Sequence, residues 1–576
     1  RQDEGEQGAG RPDAQDPHGA GRAGGTRVRG RARGARVRIR ARARGDVRAS
    51  AGAPVPPGRV GGGVGRGSGD GRRRGWHAPQ GTGTGSLGAV SASTPAGGST
   101  PVVAVIGGGQ LARMMQEEAS ALGVHLRALV ESPRGSAAQV TVDAPVGGAD
   151  DEAAVRALVA GRAATGPDAP SLQAAGAADV LTFEHEHQDQ ELLLALQGEG
   201  VPVRPDPRAL LLARDKLAMR RAVDEAGLPQ PAWAEAAGDA DAMVGRIRAF
   251  AARHGWPVVL KTPRGGYDGH GVLLVDGPGE LVDGEAAAWI ARVAAARDGR
   301  AAGPGGAGGG GSLGGGPVTS LLIERAVPFT RELAVLLARS PGGRVAVWPV
   351  VETVQADGVC AQVLAPAPGL GAGAAAEAER IGRVIAERFG VTGVLAVELF
   401  AVEEPGGACA LYVNELAMRP HNSGHWTQDG ALTSQFAQHL RAVLDLPLGS
   451  GAPTARATVM VNLLGGQAPP PPDGLARALA FEPAARIHLY GKAWRPGRKL
   501  GHVNLVLPGD PDQAPDPREV ELLRERARAV VALLRGDPAP PVEAAGAEGR
   551  ESGQPVGPAG NRPGTGPHHQ GRNPHE

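Results

Sequence analysis

Of the 61 Lys and Arg residues in this chain, only Lys216, Lys261, Lys492 and Lys499 are lysine. Arginine fills almost every other cationic position, as GC-rich coding would produce. A retained lysine therefore nominates a place where a compact point charge is needed and a planar guanidinium cannot substitute. Tyrosine is nearly as scarce, with Tyr267, Tyr412 and Tyr490, and two of the three lie close to one of those lysines. Between 101 and 537, asparagine is confined to Asn414, Asn422, Asn462 and Asn504. The uncommon polar residues thus converge on segments 261–271, 398–428 and 490–504.

Each segment suggests a chemistry. Lys261-Thr-Pro-Arg-Gly-Gly-Tyr-Asp-Gly-His-Gly271 is a strand-end lysine followed by a loop with four glycines. Such a loop lets backbone N–H groups approach phosphate closely while the lysine supplies charge. It lacks the Walker spacing of a P-loop, and its plain alternative is a hairpin turn. Glu398 and Glu415 are carboxylates inside two apolar strands, a costly placement unless each is paired or bound to metal. With Asn414 beside them they suit Mg²⁺ bridging ATP phosphates; the plain alternative is a salt bridge to arginine. The continuation Asn414-Glu-Leu-Ala-Met-Arg-Pro-His-Asn-Ser-Gly-His-Trp-Thr427 is too polar to be a mere connection. Two other signals are weaker. Glu184-His-Glu-His187 has metal-ligand residue types but follows a strand end, and Gly107-Gly108-Gly109 lacks the third glycine of G-x-G-x-x-G because Ala112 stands there.

The 414–427 segment closely resembles the signature of the N5-carboxyaminoimidazole ribonucleotide synthase family of ATP-grasp enzymes, and the 265–271 loop resembles that family's glycine loop. Similar spacing runs from Gly107-Gly108-Gly109-Gln110-Leu111 through Arg214-Asp215-Lys216 to Arg495-Pro-Gly-Arg498-Lys499-Leu-Gly-His502, so the resemblance spans about 101–508. It implies an α/β and α+β multidomain protein, an ATP-grasp fold with a Rossmann-like N-terminal domain and a small β-rich C-terminal domain. It also implies ATP as cosubstrate, bicarbonate and aminoimidazole ribonucleotide as substrates, Mg²⁺ or Mn²⁺ on Glu398 and Glu415, and a cytoplasmic homodimer.

Carried over by position, the resemblance implies ATP contacts at Lys216, Lys261, Gly266, Tyr267, Asp268, Gly269, His270, Gly271, Glu324, Arg325, Ala326, Val327, Glu332, Gln355, Asn414 and Glu415. The ribonucleotide would meet Tyr267, Asp268, Arg419, His421, Lys492 and Arg498. Lys261, Asp268, Arg419 and His421 would be catalytic. His270 departs from the pattern, where Arg or Lys is usual, and Gln355 stands where some members carry His. The implied reaction phosphorylates bicarbonate to carboxyphosphate, which yields CO₂ beside the exocyclic amine of the imidazole. The nearest alternatives, a formate-dependent glycinamide ribonucleotide transformylase or a biotin-carboxylase-like ligase, do not account for the His421-Asn-Ser-Gly-His-Trp426 run or for Arg495-Pro-Gly-Arg-Lys499.

The elements that must position these residues begin at Pro101. A buried strand at 102–106 runs into the glycine turn and a helix from Gln110, and further strands at 125–130 and 178–183 make an alternating α/β domain over 101–203. An ATP-grasp domain is expected over 204–450, opening with one helix from Arg208 to Ala226. Its small lobe, about 250–328, is interrupted between two strands by a glycine-rich insertion at 303–316. Strands are expected at 257–261, 320–324, 332–338, 345–349, 394–402 and 410–415, and a β-rich C-terminal domain over 451–537.

Composition bounds the rest. The 91 glycines and 49 prolines among 576 residues point to unfolded segments. Residues 1–100, arginine- and glycine-rich and without lysine, read as a disordered arm, and 538–576 as a disordered tail. A nucleic-acid tether through the arm is the non-enzymatic alternative, but the arm lacks interleaved aromatics and the whole chain carries a net charge of only +1. Asp3, Glu4, Glu6, Asp13, Asp16 and Asp46 argue against an organelle transit peptide. Two cysteines, Cys360 and Cys409, exclude a disulfide scaffold and suit a reducing compartment, and no apolar run is long enough to suggest a membrane span.

Overall fold

Val102 to Ile106 are all buried in β1 (Val102–Ile106) because helices cover both faces of their sheet. The computed structural model of the chain describes residues 100–161, 176–266, 271–299, 318–356, 358–404 and 406–538. The expected arm, the glycine-rich insertion and the tail beyond 538 lie outside them. Val103 and Val105 face α1 (Gln110–Leu122), which closes on left-handed Gly123. β2 (His125–Leu129), α2 (Glu152–Ala160), β3 (Val180–Phe183) and α3 (Gln190–Gly198) complete a parallel sheet of order β2-β1-β3, with Ala104 and Ile106 packed towards α2. This is the expected alternating unit.

The single helix expected over 208–226 is two: α4 (Pro207–Arg214) and α5 (Lys216–Glu225). Asp215 breaks them, at φ −121°, because its carboxylate accepts the N–H groups of Leu217 and Ala218 and so caps a new helix. The break puts Lys216 at the first position of α5, where its N–H bonds Pro263 O at 2.9 Å.

Next come β4 (Trp233–Ala237), α6 (Ala240–His254), β5 (Val258–Lys261), β6 (Val272–Val275), α7 (Glu280–Asp283), α8 (Glu285–Arg297) and β7 (Ser320–Arg325). The four strands form an antiparallel sheet, β4-β7-β5-β6, over a core that includes Ala236, Ile247, Leu260, Ile290 and Ile323. The small lobe therefore starts at Trp233 rather than near 250. The elements flanking the glycine-rich insertion are a helix, α8, and a strand, β7, not the two strands expected.

The remaining elements are β8 (Arg331–Arg339), β9 (Val345–Val347), β10 (Val351–Ala356), β11 (Val359–Ala365), α9 (Ala372–Arg388), β12 (Gly393–Glu403), β13 (Cys409–Ala417), α10 (Thr427–Gly430), α11 (Gln435–Val443), β14 (Ala457–Leu464), α12 (Gly474–Phe481), β15 (Arg486–Leu489), β16 (Lys499–Leu507) and α13 (Pro517–Arg535). Their strands make one antiparallel sheet of order β13-β12-β8-β10-β11-β14-β16-β15, with β9 beside β8. Ile381 and Ile385 of α9 cover one face of β8 and β12, and Trp348 and Trp426 cover Ala334, Leu336 and Ala338 on the other. The C-terminal strands continue the central sheet through β11 and β14, and α13 packs over β14 and β16. Among the described residues no helix is long and apolar enough to cross a membrane, and Cys360 and Cys409 are free thiols.

Candidate active site

Glu398 and Glu415 are register partners across β12 and β13, as their strand placement suggested. The register then jumps to Leu399 opposite Val413, so β13 carries one extra residue, Asn414. A bulge of this kind re-aims side chains, and both Asn414 and Glu415 meet lysines. Lys261 Nζ donates to Asn414 Oδ1 at 3.2 Å, and Lys216 Nζ to Glu415 Oε1. Glu332 on β8 lies on the same face as Glu398, because Glu398 pairs with Ala334 two residues along. Gln355 donates to Glu332 Oε2 at 3.3 Å, and His421 Nε2 lies 3.4 Å from Glu398 Oε1.

The small lobe is tied to this bulge by a buried ionic cluster. Glu324 on β7, only 2 % exposed, receives Arg220 Nε at 2.6 Å and Lys261 Nζ at 2.7 Å. Arg220 also donates to the carbonyls of Val413 at 2.8 Å and Asn414 at 3.0 Å. Burial by itself would raise Glu324, but Lys261 and Arg220 hold it at about 2. Burial pulls Lys261 below its ordinary range despite Glu324. It acts on Lys216 in the same direction, but there the charge and hydrogen bond of Glu415 prevail and raise it. Glu398 is driven up by burial and by the neighbouring charges of Glu415 and Glu332. Among the described residues no cluster of three or more His, Cys, Asp or Glu could hold a metal by itself. With its pKa pushed up to about 8, Glu398 holds its second charge poorly unless a cation sits beside it, so the Glu398 and Glu415 pair fits a divalent cation that takes its other ligands from phosphate and water.

A second group gathers where the first domain meets the end of β13. Burial would raise Glu186, but the Arg419 guanidinium, with its Nε 2.8 Å from Glu186 Oε2, holds it at about 2. Glu184 accepts the N–H of Gly109, and a Cβ on Gly109 would fall 2.0 Å from Glu184 Oε1, so a side chain there would displace that carboxylate. Lys492 Nζ reaches Gln110 Oε1 of the same turn. Burial, with Arg419 nearby, lowers His421 to about 3, so its imidazole is neutral.

Lys216, Lys261, Glu324, Glu332, Gln355, Glu398, Asn414 and Glu415 are thus joined through direct contacts and one sheet face; His421 and Arg419 lie beside it, and Lys492 contacts the glycine turn at Gln110. Glu324 has both oxygens engaged by cations. Gly266 and Gly271 bracket the loop between β5 and β6, where Thr262 N bonds Gly271 O at 2.9 Å. Tyr267, Asp268, Gly269 and His270 lie outside the described residues. Arg325 is exposed, Ala326 and Val327 follow β7 partly buried, and Arg498 donates to Ala493 O at 3.0 Å within its own loop. Arg220 escaped the sequence reading because arginine is abundant, although its place four residues after Lys216 puts it on the same helical face. Glu184 and Glu186, in a run with metal-ligand residue types, instead meet the Gly109 N–H and the Arg419 guanidinium.

A ribonucleotide synthetase preATP-grasp domain matches residues 101–214, an ATP-grasp domain 221–436, and a phosphoribosylaminoimidazole carboxylase C-terminal domain 458–512. Fold and site together define an ATP-grasp enzyme. N5-carboxyaminoimidazole ribonucleotide synthase of Mycobacterium bovis is 46% identical over 422 residues, 72% of this chain and 86% of its own, and that of Corynebacterium ammoniagenes is 42% identical over 419 residues, 72% and 89%. The chain belongs to the N5-carboxyaminoimidazole ribonucleotide synthase family. Among solved structures, the Thermus thermophilus synthetase aligns with TM-score 0.57 at 34% identity over 75% of this chain and 98% of its own. The Aspergillus clavatus synthase in complex with ADP and 5-aminoimidazole ribonucleotide aligns at 0.59 and 28% over 75% and 98%.

Proposed function

We propose that Lys216, Lys261, Asn414 and the paired carboxylates form the nucleotide end of one active site, and that Arg419, His421 and Lys492 form its ribonucleotide end. As a member of its family the chain is an ATP-dependent ligase that carboxylates 5-aminoimidazole ribonucleotide in purine biosynthesis. The carboxyl donor in this reading is bicarbonate. A bicarbonate oxygen bonds the γ-phosphorus of ATP and ADP leaves. The carboxyphosphate then divides into phosphate and CO₂, and the exocyclic amine bonds the CO₂ carbon and loses a proton.

Lys261 offsets charge on the transferred phosphoryl group, and Glu324 and Arg220 hold it in place. Glu332 and Gln355 offer hydrogen bonds to the nucleoside, and the 266–271 loop, with Tyr267, Asp268 and His270, covers the phosphates and excludes water. Neutral His421 can accept a hydrogen bond from the amine, and Lys492 and Arg498 meet the ribonucleotide phosphate. Magnesium or manganese, when bound at Glu398 and Glu415, neutralises charge on the ATP phosphates. The boundaries 101–203, 204–450 and 451–537 serve as the functional units of this reading. A cytoplasmic homodimer completes it, supported by the two free thiols and by Leu475 and Leu479, exposed one turn apart on α12.

The observation that carries the reading is Lys261, a lysine retained among arginines, held between Glu324 and Asn414 at the mouth of a glycine hairpin. ADP release measured with 5-aminoimidazole ribonucleotide, with and without bicarbonate, tests it. Release that ignores either substrate would rule it out.

A further inference from the structure

Three imidazoles stack in the core between the 421–435 segment and the C-terminal strands. His425 lies on His502 with ring centres 4.9 Å apart, and His502 on His488 at 4.5 Å with 10° between planes. His425 and His502 are 1 % and 0 % exposed. Each ring is pinned. His488 Nε2 lies 2.8 Å from Asp429 Oδ2, the Tyr490 hydroxyl 2.7 Å from His502 Nδ1, and Gln435 Nε2 2.9 Å from His425 Nδ1. Asn504, two residues beyond His502 on the same face of β16, donates to Asp429 Oδ2 at 2.7 Å and to His425 O at 3.2 Å. Burial keeps His425 and His502 far below the usual histidine range, so no charge repulsion parts the rings.

Two rings of this stack, His425 and His502, are linked to the ribonucleotide end of the site. Gln435 accepts the His421 N–H at 2.8 Å and donates to the His421 carbonyl at 2.8 Å. A Cβ on Gly424 would lie 2.4 Å from Gln435 Oε1, so the loop is closed tightly on that amide. Tyr490, bonded to the middle ring His502, stands two residues before Lys492, and its carbonyl accepts Ser136 Oγ of the first domain at 2.6 Å.

We infer that His502 is a positioning residue for the reaction: by stacking on His425 and bonding Tyr490 it sets the spacing between His421 and Lys492. It touches no substrate. Resting on the functional reading above, this makes the C-terminal strands part of the alignment between the amine and the carbon it attacks. Misplacement of reacting groups by a fraction of an ångström slows the productive step while leaving remote binding intact.

The test compares the parent with His502→Leu, which keeps an apolar side chain of similar reach but removes the flat ring and Nδ1. KM for the ribonucleotide is expected to rise about tenfold and the ADP formed per carboxylated product severalfold, because a misaligned amine loses the intermediate to water, while KM for ATP stays within about twofold. His502→Phe, which retains the stack, is expected to recover most of the coupling. A folded His502→Leu with the parental ratio and KM overturns the inference. So does an equal rise in both KM values, or a His502→Phe no better coupled than His502→Leu. Should His502→Leu fail to fold in a thermal melt, Tyr490→Phe, which deletes one hydroxyl, decides by the same ratio: a smaller rise supports the inference and a parental ratio overturns it. Absence of ribonucleotide-dependent ADP release in the parent would overturn the functional reading itself, whereas a fully coupled variant overturns the inference alone.

Discussion

Glu398 and Glu415 face each other across β12 and β13, and Lys216 hydrogen-bonds only Glu415. Burial opposes the charge on Glu415, but Lys216 holds it ionised, and that negative charge adds to burial in raising Glu398. Glu398, pushed up to about 8, takes its charge readily only when a cation lies beside it. Chelation of divalent cations is expected to abolish ADP release, and Glu398→Gln to raise the Mg²⁺ needed for half-maximal rate by about tenfold. A magnesium titration of ADP release checks this; an unchanged midpoint would remove Glu398 from the cation's ligands.

Lys261→Ala is expected to lower ribonucleotide-dependent ADP release at least about a hundredfold, as removal of a group stabilising transition-state charge commonly does. The fold should survive, because Arg220 still satisfies Glu324 Oε1. Steady-state rates alongside circular dichroism decide the matter, and near-parental turnover would make the lysine structural.

Arg220→Met leaves the buried Glu324 short of one of its two clamps and frees the Val413 and Asn414 carbonyls. Breaking one partner of a buried pair costs about 3–5 kcal/mol, to be read in urea unfolding. The exposed Arg156–Glu199 pair supplies the contrast: Arg156→Ala should leave the unfolding curve unchanged.

That arginine also shows where sequence stops being informative. Rarity exposed Lys216, Lys261 and Lys492, but the same bias towards arginine concealed Arg220 and gave Arg419 no prominence beyond its motif. Tyr490, equally rare and close to Lys492, is a buried partner of His502. Long apolar strands such as β1, β8 and β12 were legible because burial on both faces leaves continuous runs. β4, β6, β10 and β11 were not, being only half-buried rather than covered on both faces. The break at Asp215 is a capping event within a helical pattern, and the Asn414 bulge depends on a neighbouring strand that no local window contains.

Glu324 and Glu186 are both held at about 2, below the ordinary carboxylate range. For a depressed pKa the stabilisation is complete above the unfolded value of about 4.3 and is lost as pH falls towards the folded value. Stability should therefore decline steeply between about pH 4 and pH 2. Glu324→Gln, though less stable throughout, should show a shallower decline. Thermal midpoints across that range provide the check, and parallel curves would contradict the assignment.

Lys492→Ala is expected to weaken ribonucleotide binding by about ten- to a hundredfold, since one charge-assisted contact to phosphate is lost, while ATP binding changes little. Calorimetric titration with each ligand separates the two. Equal losses would move Lys492 away from the ribonucleotide end.

Gln362 to Ala365 of β11 pair with Val461 to Thr458 of β14, a seam of four residues through which one continuous sheet passes from catalytic strands to terminal ones. Terminating the chain near 450 would not free a removable module. It would leave β11 as a raw border, its backbone donors and acceptors open to any passing strand, and invite one molecule to finish its sheet with another. In that sense the last hundred residues act as the selvedge of the fabric, and their loss would show first as precipitation rather than as a slower enzyme.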